Sequence, residues 1–239
     1  GMSIIDLTKL EQKVATMWDS ILTNSPFIHE VLDGKATKAL YAIYMTETYH
    51  YTKHNAKNQA LVGIMGKDLP GKYLSFCFHH AHEEAGHELM ALSDIASIGF
   101  DREDVLSSKP LPATETLIAY LYWISATGNP VQRLGYSYWA ENVYGYIDPV
   151  LKAIQSTLDL TPQSMKFFIA HSKIDAKHAE EVNEMLHEVC KTQEDVDSVV
   201  AVMENSLVLT ARILDDVWKE YQLFQSGASD RYAFLRDNA

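Results

Sequence analysis

Apolar residues recur at intervals of three and four along almost the whole chain, and no stretch alternates apolar and polar between hairpin turns. That rhythm predicts helices and no strands. Leu7, Leu10, Val14, Met17, Trp18 and Ile21 form the first stripe, with Ser3 as candidate cap and Pro26 as the stop. A short segment, 27–32, leads to the turn signal Asp33-Gly34. Long helices are expected over about 36–65, ending at Gly66, and about 73–98, ending at Gly99. The interval 100–112, with Pro110 and Pro112, reads as the longest loop. Helices follow over about 113–127, 130–157 and 161–190, where Pro130 and Pro162 suit first turns. The last, about 193–224, carries Val199, Met203, Leu207, Ile213, Leu214 and Val217 on helical spacing. Short connections imply antiparallel neighbours. The expected fold is all-α, a single-domain bundle of seven to eight helices over residues 3–226 with a polar C-terminal tail, 227–239.

Within this pattern two helices carry polar residues where a solvated face would be the ordinary reading. His171, Asp175 and His178 lie at 0°, about 40° and about −20° around a helix axis, so they share one narrow strip. His80, Glu84 and His87 repeat the spacing H-x-x-x-[ED]-x-x-H. Glu83 falls at about −60°, while His79 and His82 point away. Apolar or small neighbours (Phe76, Cys77, Ala91, Phe167, Phe168) argue against a plain surface stripe. A buried carboxylate without a partner is costly, and a divalent cation is one common compensation.

A third contribution is expected from Glu141, the only acid between Pro130 and Asp148, among Tyr136, Tyr138, Trp139, Tyr144 and Tyr146. Pairing with Arg133 or a tyrosine hydroxyl is the alternative for this residue. Glu47, His50 and His54 share a face on the helix 36–65 and are weaker candidates, for outer hydrogen bonding rather than direct coordination. Imidazole and carboxylate without thiolate suit iron or manganese, and zinc less specifically. Glu84-x-x-His87 matches the motif by which helical bundles hold two metals, and Asp175-x-x-His178 is its aspartate version.

Composition narrows the partners. The chain has 239 residues, 47% hydrophobic and 22% charged, enough for one well-buried domain. A net charge of −12 argues against nucleic acid and anionic membrane. Two cysteines, Cys77 and Cys190, make no disulfide framework, so a reducing compartment is the default. No apolar run is long enough to span a bilayer, and no signal-peptide pattern is present. Gly1 before Met2 reads as an expression remnant. The expected location is the cytoplasm.

These motifs resemble those of the heme-oxygenase-like diiron oxidases, relatives of TenA-type thiaminases, PqqC and the chlamydial CADD protein. The likeness extends over nearly the whole helical layout. It implies Glu84 and His87 from one core helix, Glu141 from a second, and His171, Asp175 and His178 from a third as the metal ligands. Some members carry a Glu seven residues before the first His, where this chain has His80. That leaves His80 as a further ligand, an outer hydrogen-bonding group or a substrate contact. The resemblance implies a heme-oxygenase-like fold, two Fe ions, oxygen activation and oxidation of a small organic substrate. O2 and that substrate are the expected partners, and a homodimer stays open. A TenA-type hydrolase would need a nucleophilic Cys within 130–157, which has none. A heme oxygenase would need an axial His near the N-terminus, for which His29 alone is available. A non-enzymatic metal-binding or regulatory module on the same fold is the alternative from another class.

Overall fold

The computed structural model describes residues 3–238, apart from the side chains of Asp175, Asp237 and Asn238. Among the described residues there are twelve α-helices and no strand. In order they are α1 (Leu7–Asn24), α2 (Pro26–Leu32), α3 (Lys38–Thr52), α4 (Asn55–Met65), α5 (Gly71–Glu84), α6 (Glu88–Ser97), α7 (Arg102–Ser107), α8 (Pro112–Ala126), α9 (Leu134–Ala140), α10 (Tyr144–Leu158), α11 (Lys166–Val189) and α12 (Gln193–Ser226). Short 3-10 turns lie at Pro162–Ser164 and Ala233–Asn238.

The all-α expectation holds, but seven to eight helices become twelve. Three of the expected long helices are each interrupted: 36–65 at residues 53–54, 73–98 at 85–87, and 130–157 at 141–143. The break after Glu84 is the sharpest. Ala85 is extended, and Gly86 has φ +86°, a left-handed conformation that glycine adopts without Cβ strain. At 141–143 the chain instead tightens into i→i+3 hydrogen bonds, Asn142 N to Trp139 O and Val143 N to Ala140 O.

Capping differs from the sequence expectation at the start of the chain. Asp6, not Ser3, caps α1, its carboxylate accepting from Thr8 N and Lys9 N. α12 opens on a reciprocal capping box between Thr192 and Asp195 and closes at Gly227 with φ +74°. This 34-residue helix, about 50 Å long, packs against α3, α8 and α9. Gly135 permits the α9 approach, because a Cβ there would overlap the Val199 backbone. α11 lies against α6 and α9, and α4 against α5. The tail is not merely polar: Tyr232 and Leu235 are buried, and the Tyr232 hydroxyl reaches Glu47 on α3. Among the described residues, no helix is long and apolar enough to cross a membrane.

Candidate metal centre

Four elements bring candidate ligands together in the interior. α5 contributes His80 and Glu84, and the turn that follows contributes His87. Glu141 sits at the end of α9, and His171 and His178 project from α11. They form two groups that share Glu84: His80, Glu84, Glu141 and His178, then Glu84, His87 and His171. Within each group the ligand atoms lie within 4.8 Å of one another. His87 joins by a route the helical wheel does not contain. The helix ends at Glu84, and the Ala85–Gly86 turn carries His87 back so that its Nδ1 is 3.3 Å from Glu84 Oε2.

Asp175 belongs to α11, but its side chain lies outside the described residues. The weaker candidates do not join the groups. Glu47 accepts from Leu111 N, Thr114 Oγ1 and Tyr232 Oη. His50 Nε2 pairs with Ser108 Oγ at 2.9 Å, and His54 Nδ1 with Tyr122 Oη at 2.7 Å. Arg133 does not pair with Glu141; its guanidinium is taken up by Asn58, Gln59 and Ser137.

Three imidazoles share one design, in which one ring nitrogen is anchored and the other faces the cluster. His171 Nδ1 donates to the Phe167 carbonyl at 2.6 Å, leaving Nε2 3.0 Å from His87 Nδ1. His80 Nδ1 meets Gln59 Oε1 at 3.0 Å, and its Nε2 is 3.1 Å from Glu141 Oε1 and 3.6 Å from Glu84 Oε1. His178 Nε2 is held by Glu83, which is itself 2.5 Å from His79 Nε2. The buried His178 Nδ1 makes no well-directed hydrogen bond and sits 3.4 Å from Glu84 Oε1 and 3.5 Å from Glu141 Oε2. Anchoring the second nitrogen to a carboxylate or carbonyl is how metal-ligating histidines are oriented. The orphaned Nδ1 and the donor set, imidazole and carboxylate without sulfur, fit iron or manganese.

The electrostatics point the same way. Burial opposes the charge on Glu84, yet the adjacent imidazoles of His178 and His87 hold its carboxyl well below the ordinary range. Burial likewise opposes Glu141, and His178 and His80 more than offset it. Around His178, burial works against a proton, but Glu141, Glu84 and Glu83 push its pKa up to about 11. His171 is lowered, chiefly by burial, so its imidazole stays neutral. The paired carboxylates thus need positive charge, which the protein alone supplies as a proton on His178.

The ligand helix α11 is fixed from outside. Its N-cap residue Met165 gives no side-chain cap. The buried Asp94 of α6 replaces it, Oδ1 accepting from Lys166 N at 2.8 Å and Oδ2 from Phe167 N at 2.9 Å. A cavity of about 150 Å³ runs from His80, Glu84, Glu141 and His171 into an apolar region walled by Phe27, Tyr44, Leu151, Phe168, Ile213 and Leu214. Glu83, Gln59 and Asp94 hold this arrangement in place and are not among the expected site residues. Only Glu83 left a signal, its position on the helix wheel beside His87.

A family model described as iron-containing redox enzyme matches residues 42–211. The chain belongs to that family. Solved structures show the same fold at low identity. The TenA homologue from P. horikoshii OT3 is 11% identical, with TM-score 0.70, over 89% of this chain and 98% of that one. A TenA homologue from Pseudomonas syringae pv. tomato is 13% identical, with TM-score 0.73, over 89% and 92%. A CADD-like protein of unknown function from Nostoc punctiforme is 13% identical, with TM-score 0.66, over 89% and 98%. The comparison with curated proteins gives no match. The iron-containing redox enzyme family and these neighbours together put the chain in the heme-oxygenase-like superfamily.

Proposed function

We propose that this family member is a non-heme diiron oxidase that uses O2 to oxidise a small organic substrate. The observation that carries the reading is the pair of ligand groups meeting at Glu84 in the interior. Glu84, Glu141 and His178 would hold one iron, and Glu84, His87 and His171 the other, with Asp175 added by its spacing on α11. Two irons would supply the activation of O2, and O2 itself would be the oxidant. The chain's own residues do the rest. Glu83 keeps the proton of His178 on Nε2, and the Phe167 carbonyl keeps that of His171 on Nδ1, so the opposite nitrogens are free to coordinate. Phe168, Tyr44 and Leu151 exclude water beside the centre and leave room for an apolar body. A cavity of about 150 Å³ is the size that takes up benzene in an engineered apolar core.

Two features count against a cysteine hydrolase on this fold. Neither α9 nor α10 contains a cysteine. Cys77 and Cys190 are buried, and burial pushes each thiol up to about 11, where the nucleophilic thiolate is scarce. The test is anaerobic Fe(II) loading with metal analysis, followed by oxygen uptake. Two bound irons and uptake that is lost in Asp175→Ala support the oxidase. Two irons without uptake would favour the metal-binding module, and no bound iron would overturn the assignment.

A further inference from the structure

We infer that His80 is a seventh metal ligand, made so by a clamp of Arg133 and Gln59; this rests on the diiron reading above. The argument starts at Arg133, which is buried among neutral groups. Its Nε and Nη2 go to Asn58 Oδ1, Nη2 also to the Asn55 carbonyl, and Nη1 to Gln59 at 2.7 Å and Ser137 Oγ at 3.1 Å. A guanidinium donates and never accepts. The Gln59 atom it touches is therefore the amide oxygen, which fixes the orientation of that side chain.

The same Gln59 oxygen lies 3.0 Å from His80 Nδ1. An oxygen cannot donate there, so Nδ1 carries the N–H and donates. In the neutral imidazole Nε2 then bears the lone pair. That lone pair faces Glu141 Oε1 at 3.1 Å and Glu84 Oε1 at 3.6 Å, both acceptors. Three acceptor atoms converging in a buried space are the kind of donor set a metal ion takes. His178 Nδ1 completes the set as a fourth donor atom of the same group. Gln59 and Arg133 are positioning residues, acting on the metal only through His80. Both are almost fully buried, so the clamp is shielded from water that would compete for its hydrogen bonds.

The competing reading makes His80 a doubly protonated partner of Glu141 that never touches metal. Co(II) titration of the whole chain, followed by visible absorption and chelator competition, separates the two. Wild type should bind two Co(II) ions. His80→Ala should bind one of them at least 100-fold more weakly with altered d–d bands, and added imidazole should restore those bands by filling the vacated position. Gln59→Leu, which removes the acceptor, should weaken the same ion about 10–100-fold, the usual effect of losing an outer partner. Gln59→Glu keeps an acceptor for both Arg133 and His80 and should stay within a few-fold of wild type. If His80→Ala binds both ions with unchanged affinity and bands, His80 is not a ligand and the inference falls while the two-metal reading stands. If wild type binds fewer than two ions, both fall. Should His80→Ala fail to fold, equal affinities in Gln59→Leu and Gln59→Glu would overturn the clamp.

Discussion

Glu47 and Glu84 are both buried carboxylates on core helices, and the difference lies in who answers them. Glu47 accepts from the Leu111 backbone, the Thr114 hydroxyl and the Tyr232 hydroxyl, at 2.7, 2.7 and 2.6 Å. Every partner is a neutral donor of the chain itself, and nothing further is required. Glu84 is surrounded by His80, His87 and His178, and the buried Glu141 belongs to the same group. Its neighbours are nitrogens that coordinate as readily as they donate, and one of them, His178 Nδ1, has no directed partner. A closed set of donors makes a strut that ties the C-terminal tail to α3. An open set of convergent acceptors and imidazoles instead calls for positive charge, which a proton on His178 supplies in the metal-free chain and which a bound metal would supply in its place.

The strongest way to break this contrast is to remove Glu84, the one residue common to both ligand groups. Glu84→Ala should lose both metals, whereas His87→Ala should lose one. A ligand at about 1,000 times its dissociation constant stabilises by about 4 kcal/mol, which for a domain of this size is a melting shift on the order of 10 °C. Differential scanning calorimetry with and without Fe(II) should show that shift in wild type and none in Glu84→Ala. Equal metal-induced shifts in both proteins would make Glu84 as structural as Glu47.

A smaller effect is expected at Asp94. Replacing it with Ala strands the backbone N–H groups of Lys166 and Phe167 at the start of α11. Losing such partners costs about 1–3 kcal/mol, hence on the order of 5 °C in melting temperature. Because α11 carries His171 and His178, Asp94→Ala should also weaken metal binding, whereas a strut far from the cluster would not. A Co(II) titration beside the melt checks it, and unchanged affinity would reduce Asp94 to an ordinary cap.

Much of this site is legible in the one-dimensional pattern. The i, i+4, i+7 spacing points to His171 and His178 on α11 and to His80 and Glu84 on α5, and all four fall within the two convergent groups. Glu141 stands out as a lone acid in an aromatic helix, and it is buried. The break at Ala85–His87 is not legible, because one glycine inside a helical pattern costs only about 1 kcal/mol and does not force a turn. Tertiary partners are invisible for a different reason. Tyr232 meets Glu47 across 185 positions, and Arg133 meets Gln59 across 74, with no periodicity linking them. The grouping of Glu47, His50 and His54 shows the converse: a shared helical face does not guarantee a shared partner, and each of the three bonds a different residue.

The smallest expected effect is the one that sharpens the comparison most, because its sign with pH is opposite at the two carboxylates. Burial raises the pKa of Glu47 above its ordinary 4.5, and its three donors only partly offset this. The folded state therefore binds that proton more tightly than the unfolded chain does. Stability from this group is full below about 4.5 and declines as pH rises through the folded pKa. Glu84 is depressed below 4.5, so in metal-free protein its contribution is present above 4.5 and is lost as pH falls. Glu47→Gln keeps an oxygen for Leu111 and Thr114 and can donate to the Tyr232 hydroxyl. It should cost less than about 1 kcal/mol at pH 7, and it should remove the decline on the alkaline side of 4.5. Tyr232→Phe, which strips one donor from the carboxylate, should instead cost about 1–2 kcal/mol at the same pH. Melting curves of the metal-free proteins from pH 4 to pH 8 measure both. If Glu47→Gln were destabilised as strongly as Glu84→Gln is in metal-loaded protein, the carboxylate of Glu47 would be needed for its charge, and its reading as a neutral strut would fail.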